Sequence, residues 1–314
     1  MSHHSKWQDL PTEAINQDSL GIDKMPVMDI VDLISQEDRR VVAAVHKERE
    51  RIAHGVDLIV SAMKKGGRLF LVGAGTSGRL GILEAAEMPI TFGTAPKLVQ
   101  AIMAGGQDAV FKTREGVEDN FEEGARSIAR LRVSKRDVVI GVSASGITRF
   151  VRGALTGARK KGARIIFVTC WPGSELQTFV DLIIAPAVGP EVIAGSTRLK
   201  AGTATKMVLN MLTTIAMVRI GKTYGNLMVD VLTGSEQRRD RACRIVAMVT
   251  GVDRDEAELL LKRGRWNVKV AIVMKKAGVT AAQAGRKLRA ADHSVRAALG
   301  EDLEPTLRKL LSLS

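Results

Sequence analysis

Five short, nearly uninterrupted apolar runs punctuate the first two-thirds of the chain: 69–72 (LFLV), 97–103 (KLVQAIM), 137–142 (DVVIGV), 164–170 (RIIFVTC) and 182–185 (LIIA). They have strand length and lack the alternation of a sheet with one wet face, so they predict strands buried on both sides. The stretches between them repeat apolar residues at helical spacing. Residues 28–35 form a short amphipathic turn or helix. Ser35-Gln-Glu-Asp38 resembles a capping box and opens a long helix to about Lys64, in which Val41, Val42, Val45, Ile52, Val56, Ile59 and Val60 recur at helical spacing. A helix follows the first strand and ends at Pro89, and others cover 107–132, 149–161 and 197–218. Alternating strands and helices predict an α/β fold, a parallel sheet flanked by helices.

The character changes after residue 218. An apolar stretch at 224–233 and a charged helix at 235–249 precede three short amphipathic helices, 253–263, 267–277 and 280–299, split at Gly264 and Gly278. The expected organisation is an N-terminal segment (1–27), an α/β domain (28–250), a small three-helix module (251–300) and a C-terminal tail (301–314).

Composition narrows the class. Hydrophobic residues make up 45% of the 314, enough for a full core, and aromatics only 4%, so the core is aliphatic. No run reaches the roughly 20 apolar residues of a membrane helix. The N-terminus has no apolar signal core, which predicts a cytoplasmic protein without membrane association. Cys170 and Cys243 are far apart in sequence and read as free thiols, and no Cys/His metal spacing occurs. The net charge is +13, of which +7 lies between Ser235 and Ser314 (17 basic and 10 acidic residues). No RNA-binding motif, zinc finger or interleaving of basic and aromatic residues accompanies it, so nucleic acid is not an expected partner.

Two strand ends carry the candidate chemistry. The first strand runs into Gly73-Ala-Gly-Thr-Ser-Gly78 and the third into Ser143-Ala-Ser-Gly-Ile-Thr148, each leading directly to a helix. Hydroxyls, glycine backbone and a helix N-terminus together suit an anion, and ligands of open α/β sheets bind at the carboxyl ends of strands. The first loop fits the G-x-G-x-x-G spacing, but Gln100 stands where a dinucleotide site needs an acid, and neither loop is a P-loop. Ser and Thr here also suit plain helix capping. Four glutamates are candidates for acid–base work. Glu84 and Glu87 lie three apart on one helix, and Glu115 and Glu118 three apart in the next acidic segment. A lone helical Glu is most often solvated, and spacing does not choose among the four.

These segments, in order, resemble the N-acetylmuramic acid 6-phosphate etherases of bacterial cell-wall recycling, whose catalytic domain has the sugar-isomerase (SIS) phosphosugar-binding fold. The resemblance rests on 73–87 (GAGTSGRLGILEAAE), 89–93 (PITFG), 102–106 (IMAGG), 115–119 (EGVED), 143–148 (SASGIT), 195–206 (GSTRLKAGTATK) and 225–230 (GNLMVD). The glucokinase regulatory protein shares part of the pattern, which leaves a non-catalytic phosphosugar-binding regulator as the alternative. The resemblance implies a homodimeric carbon–oxygen lyase acting on a phosphorylated amino sugar. It would cleave the C3 lactyl ether by elimination and then hydration, with no metal or other cofactor, giving N-acetylglucosamine 6-phosphate and D-lactate. It also implies that the C-terminal module is of the ubiquitin-associated type. By position in the motifs, Glu87 protonates the departing lactate and activates water, and Glu118 takes the C2 proton. Ser145, Gly146 and Thr148 would hold the phosphate, with Ser143 in the same loop, and Thr76 and Ser77 would face the sugar. Glu191 and Ser196 would complete the pocket, with Lys200 adding positive charge. Met88, Ile90 and Arg149 depart from the family's usual Cys, Pro and Pro.

Overall fold

The structure is a computed structural model that describes residues 10–312, so the first nine residues of the expected N-terminal segment and the last two of the tail lie outside the described residues. Two compact units are present. The first holds the chain through Ala85 together with Lys97–Thr214; the second holds Ala86–Pro96 and the chain from Ile215 onward.

The elements run α1 (Val27–Lys47), α2 (Arg49–Lys64), β1 (Leu69–Gly73), α3 (Gly75–Phe92), β2 (Val99–Met103), α4 (Asp108–Phe111), α5 (Phe121–Arg130), β3 (Val138–Val142), α6 (Arg149–Lys160), β4 (Arg164–Val168), β5 (Leu182–Ile184) and α7 (Lys200–Arg219). The five strands pair in the order β2-β1-β3-β4-β5, all parallel, with Leu69 opposite both Val99 and Val138. Every residue of β1 and β3 is buried. The apolar runs were continuous because both sheet faces are covered, as a parallel sheet requires. The chain leaves β1 toward β2 on one side and places β3 on the other. The strand order therefore reverses between β1 and β3, which is where such sheets open a crevice at the carboxyl ends of their strands.

The opposite ends of these two strands are tied by Asp137. It accepts hydrogen bonds from Arg68 N (2.8 Å), Arg68 Nη2 (2.9 Å), Ser134 N (2.8 Å) and Ser134 Oγ (3.1 Å). Burial alone would push its carboxyl up, but the bonds from Arg68 and Ser134 outweigh burial and hold it below the ordinary carboxylate value. The ionised form therefore stabilises the fold above the unfolded pKa of about 3.9, and that contribution drains away as pH falls through the lowered folded value. Asp137→Asn should cost about 2 kcal/mol in urea unfolding at neutral pH. The gap to wild type should narrow as pH falls through the lowered folded value, and a gap that stays the same from neutral pH into acid would contradict a role for the charge.

Five local expectations are corrected, one of them in the second unit, where the single helix expected at 280–299 is two, Ala281–Ala290 and Val295–Leu299, parted by a turn that ends at the N-cap Ser294. Residues 28–35 and 35–64 do not form a short helix and a long one. Helix α1 runs through Ser35, and the break falls at Glu48, whose carboxylate accepts from Ala185 N (3.0 Å) and pairs with Arg51 (3.2 Å). Pro89 does not end α3, which continues to Phe92. A proline inside a helix forfeits one backbone bond without enforcing a stop, and Gly93, at φ +58°, ends the helix instead. The acidic stretch at 107–132 is not one helix. A short α4, a turn at Gly116, a 3-10 turn at Val117–Asp119 and then α5 replace it, leaving Glu115 and Glu118 ahead of α5. Glu84 is not on a solvated face: it is 3% exposed and accepts from Thr213 Oγ1 (2.6 Å) and from Asn210 Nδ2, both on α7.

The second unit contains a hairpin, β6 (Thr223–Tyr224) with β7 (Leu227–Met228), and helices α8 (Glu236–Thr250), α9 (Arg254–Arg263), α10 (Val268–Ala277), α11 (Ala281–Ala290), α12 (Val295–Leu299) and α13 (Glu304–Leu311). Val246, Val249, Leu261, Ile272, Val273 and Leu288 are among its core residues. Asn267 caps α10, and Thr280 with Gln283 forms a capping box on α11. Asp230 pairs with the buried Lys269 (2.6 Å) and with Lys222 (3.0 Å). Several basic residues of this region have partners inside it, including Arg244 and Arg254 on Asp240 and Lys275 on Glu256. No helix of the described residues is long and apolar enough to cross a membrane.

Candidate active site

A cavity of about 270 Å³ opens where the strand order reverses. Its walls come from the first turns of α3 (Gly75, Thr76, Ser77, Arg79), the end of β2 (Met103, Ala104), the segment through α4 and its following turn (Thr113, Arg114, Glu115, Glu118), the loop after β3 (Ala144, Ser145, Thr148) and Thr197.

The first wall depends on two glycines. A Cβ on Gly73 would stand 2.6 Å from Gly78 N, and one on Gly78 would stand 2.9 Å from Gly73 O. Only the bare backbone allows the chain to leave β1 and enter α3 within so few residues. That tight turn presents Thr76 and Ser77 to the cavity.

The second wall is braced from behind. Ser143 is buried; its Oγ lies 2.7 Å from Thr148 Oγ1 and accepts from Gly146 N (3.1 Å). Ser174 Oγ donates to Gly146 O (3.1 Å), and Thr169 Oγ1 to Ala144 O (3.2 Å). Gly146 has φ +77°, and a Cβ there would press on Ser174 and Trp171, so the loop needs glycine at this point. The consequence is a rigid hydroxyl loop ahead of α6. Thr148 is spent on Ser143 and does not cap α6, which leaves first-turn N–H groups of a 12-residue helix for an acceptor from outside. Among the described residues, the hydroxyls of Thr76, Ser77 and Ser145 have no protein hydrogen-bond partner.

The other residues singled out in the sequence sit differently. Gly146 backs the loop and lines a separate cleft with Arg149 and Trp171. Glu191 is buried, and its carboxylate accepts from Lys200 N and Ala201 N (both 2.9 Å), so it caps α7. Lys200 is 2% exposed and bonds Glu37 on α1, which also accepts from Asn16 Nδ2 (2.9 Å). Neither lines the cavity, nor does Ser196, although its neighbour Thr197 does. Cys170 lies close by as well. Burial, and then the charge of Glu191, push its thiol up to about 12, so it is an inert protonated thiol at neutral pH.

Of the four candidate glutamates, Glu115 and Glu118 line the cavity and are exposed. Glu84 is committed to α7. Glu87 lies farther along α3, is exposed, and is not among the cavity's lining residues. Sequence reasoning passed over Arg79, Thr113, Arg114 and Thr197. Arg114 directly precedes the acidic 115–119 segment, and Arg79 lies inside the first glycine-rich segment; a search for cations beside the candidate carboxylates would have found both.

Comparison with known proteins bears on this cavity. Residues 51–159 match a family model described as the glucokinase regulatory protein N-terminal SIS domain, and residues 117–215 match the SIS domain model. A relative from Symbiobacterium thermophilum, named N-acetylmuramic acid 6-phosphate etherase, is 53% identical over 270 residues, spanning 86% of this chain and 90% of that protein. Its namesakes from Salinibacter ruber and Microcystis aeruginosa are 50% and 47% identical, spanning 94% and 92% of this chain and 95% of each of those proteins.

Proposed function

The chain belongs to the N-acetylmuramic acid 6-phosphate etherase family, and we propose that it cleaves that substrate with Glu118 and Glu87 as its two working carboxylates. The observation that carries this reading is the grouping of Glu118 with the unspent hydroxyls of Thr76, Ser77 and Ser145 on one cavity, in a chain 53% identical to a named etherase.

The substrate dictates what the residues must do. Opening the sugar ring exposes an aldehyde at C1, which acidifies the proton on C2. The Glu118 carboxylate takes that proton. The C3–oxygen bond then breaks, the lactate oxygen takes a proton from Glu87, and a C2–C3 double bond remains. Glu87, now a carboxylate, draws a proton from water as it adds to C3, and C2 is reprotonated. The products are N-acetylglucosamine 6-phosphate and D-lactate. One carboxyl must be ionised while the other is protonated, which explains why two are needed. Ser145 and the N-terminus of α6 receive the phosphate, with Ser143, Gly146 and Thr148 shaping the loop. Thr76 and Ser77 face the sugar. Glu191, Ser196 and Lys200 act at one remove, by holding the start of α7 and the loop that carries Thr197.

We place the enzyme in the cytoplasm, a reading supported by two buried free cysteines. We further read it as a homodimer; Val27, Val31 and Ile34 recur at helical spacing on α1 and are exposed, a face suited to a second copy. The test is release of D-lactate from N-acetylmuramic acid 6-phosphate by the purified protein. No lactate would overturn the reading.

A further inference from the structure

The etherase substrate has two anions, a phosphate on C6 and a carboxylate on the lactyl group at C3. The hydroxyl loop and the start of α6 suit the first. The second must enter a cavity whose lip already carries Glu115 and Glu118, and like charges at close range repel. A cation is needed to receive it.

Two cations line the cavity, Arg79 and Arg114. Arg79 is committed: its Nε donates to Val110 O (2.8 Å) and its Nη2 to Ala109 O (3.0 Å), which anchors the end of α4. Lys200 is withdrawn into its pair with Glu37. Arg114 is different. Its ion-pair partner is Asp108 at 3.8 Å, and the two side chains are 54% and 82% exposed. A long pair between exposed groups holds its members weakly, so Arg114 can be drawn to a better acceptor. It stands four residues before Glu118 in sequence and lines the same cavity. The lactyl group that bears the carboxylate hangs from the ether oxygen on C3, the carbon next to the C2 whose proton Glu118 removes.

We propose that Arg114 binds the lactyl carboxylate and sets the preference for the ether substrate over the sugar phosphate it becomes. The inference rests on the etherase reading above. The planar guanidinium can meet a carboxylate with two parallel hydrogen bonds. The product N-acetylglucosamine 6-phosphate lacks that carboxylate and makes no use of Arg114.

The test compares KM for N-acetylmuramic acid 6-phosphate with the inhibition constant of N-acetylglucosamine 6-phosphate in wild type, Arg114→Gln and Arg114→Lys. Arg114→Gln should raise KM roughly 10- to 100-fold, the worth of a charge-assisted hydrogen-bonded pair. The inhibition constant of the product should stay within about twofold, which also reports an intact fold and phosphate site. Arg114→Lys should recover part of the loss, since it restores the charge without the planar fork. A parallel rise in both constants, or no rise in KM, overturns the proposal. If the wild-type protein releases no lactate, the etherase reading has failed instead. Calorimetric binding of the two sugar phosphates to wild type and Arg114→Gln then decides on Arg114 alone: a selective loss for the carboxylate-bearing sugar supports it, and an equal loss or none overturns it.

Discussion

Glu118→Gln should lower kcat for lactate release by roughly 10²- to 10⁴-fold, the range for loss of a positioned acid–base group. The amide has almost the same shape and can still hydrogen bond, so the cavity should still bind sugar phosphate, and KM should change little. The change removes the one capacity the reaction needs from this residue, which is to accept the C2 proton. Unreacted substrate held with the variant in deuterated water should therefore show no exchange at C2. A turnover number near wild type would mean that Glu118 is a bystander on the cavity lip.

Glu87→Gln should reduce lactate release by a comparable factor for a different reason. Here the base remains and the proton donor for the leaving oxygen is lost. The C2 proton should still exchange with deuterated solvent while the C3 ether stays intact. Exchange without cleavage in Glu87→Gln, and neither in Glu118→Gln, is the expected pair of results. The reverse pattern would swap the two roles. A substrate whose C3 ether carries a more acidic alcohol should lose less activity in Glu87→Gln, because its departure needs less protonation. Glu87 is the more demanding assignment. It comes from the family resemblance at 73–87, and Glu87 is absent from the residues lining the cavity.

The two proposals draw on what was legible in the sequence to different extents. The strands were legible because β1 and β3 are buried along their whole length. The reversal point of the sheet follows from their order, and Thr76, Ser77, Ser145 and Thr148, read as strand-end hydroxyls, all line the cavity. What escaped depended on partners remote in sequence. Glu84 looked like a solvated helix position because Asn210 and Thr213, which bury it, are 126 and 129 residues away. Lys200 looked available because Glu37 is 163 residues away. The break between α1 and α2 was invisible because Glu48 answers to Ala185, 137 residues on. Periodicity reports which face of an element is apolar and is silent on which polar side chain will find a buried partner. Arg114 escaped for the opposite reason: its significance lies in its weak engagement, which only the neighbouring, committed Arg79 makes plain.

Elimination followed by hydration at C3 leaves an isotopic signature that direct hydrolysis on the lactyl side does not. It is read by turnover of N-acetylmuramic acid 6-phosphate in ¹⁸O-labelled water, with both products examined by mass spectrometry. One ¹⁸O is expected on C3 of the N-acetylglucosamine 6-phosphate and none in the D-lactate, which keeps the original ether oxygen. Label in the lactate, with an unlabelled sugar, would place the bond cleavage on the lactyl side and contradict the roles given to both glutamates.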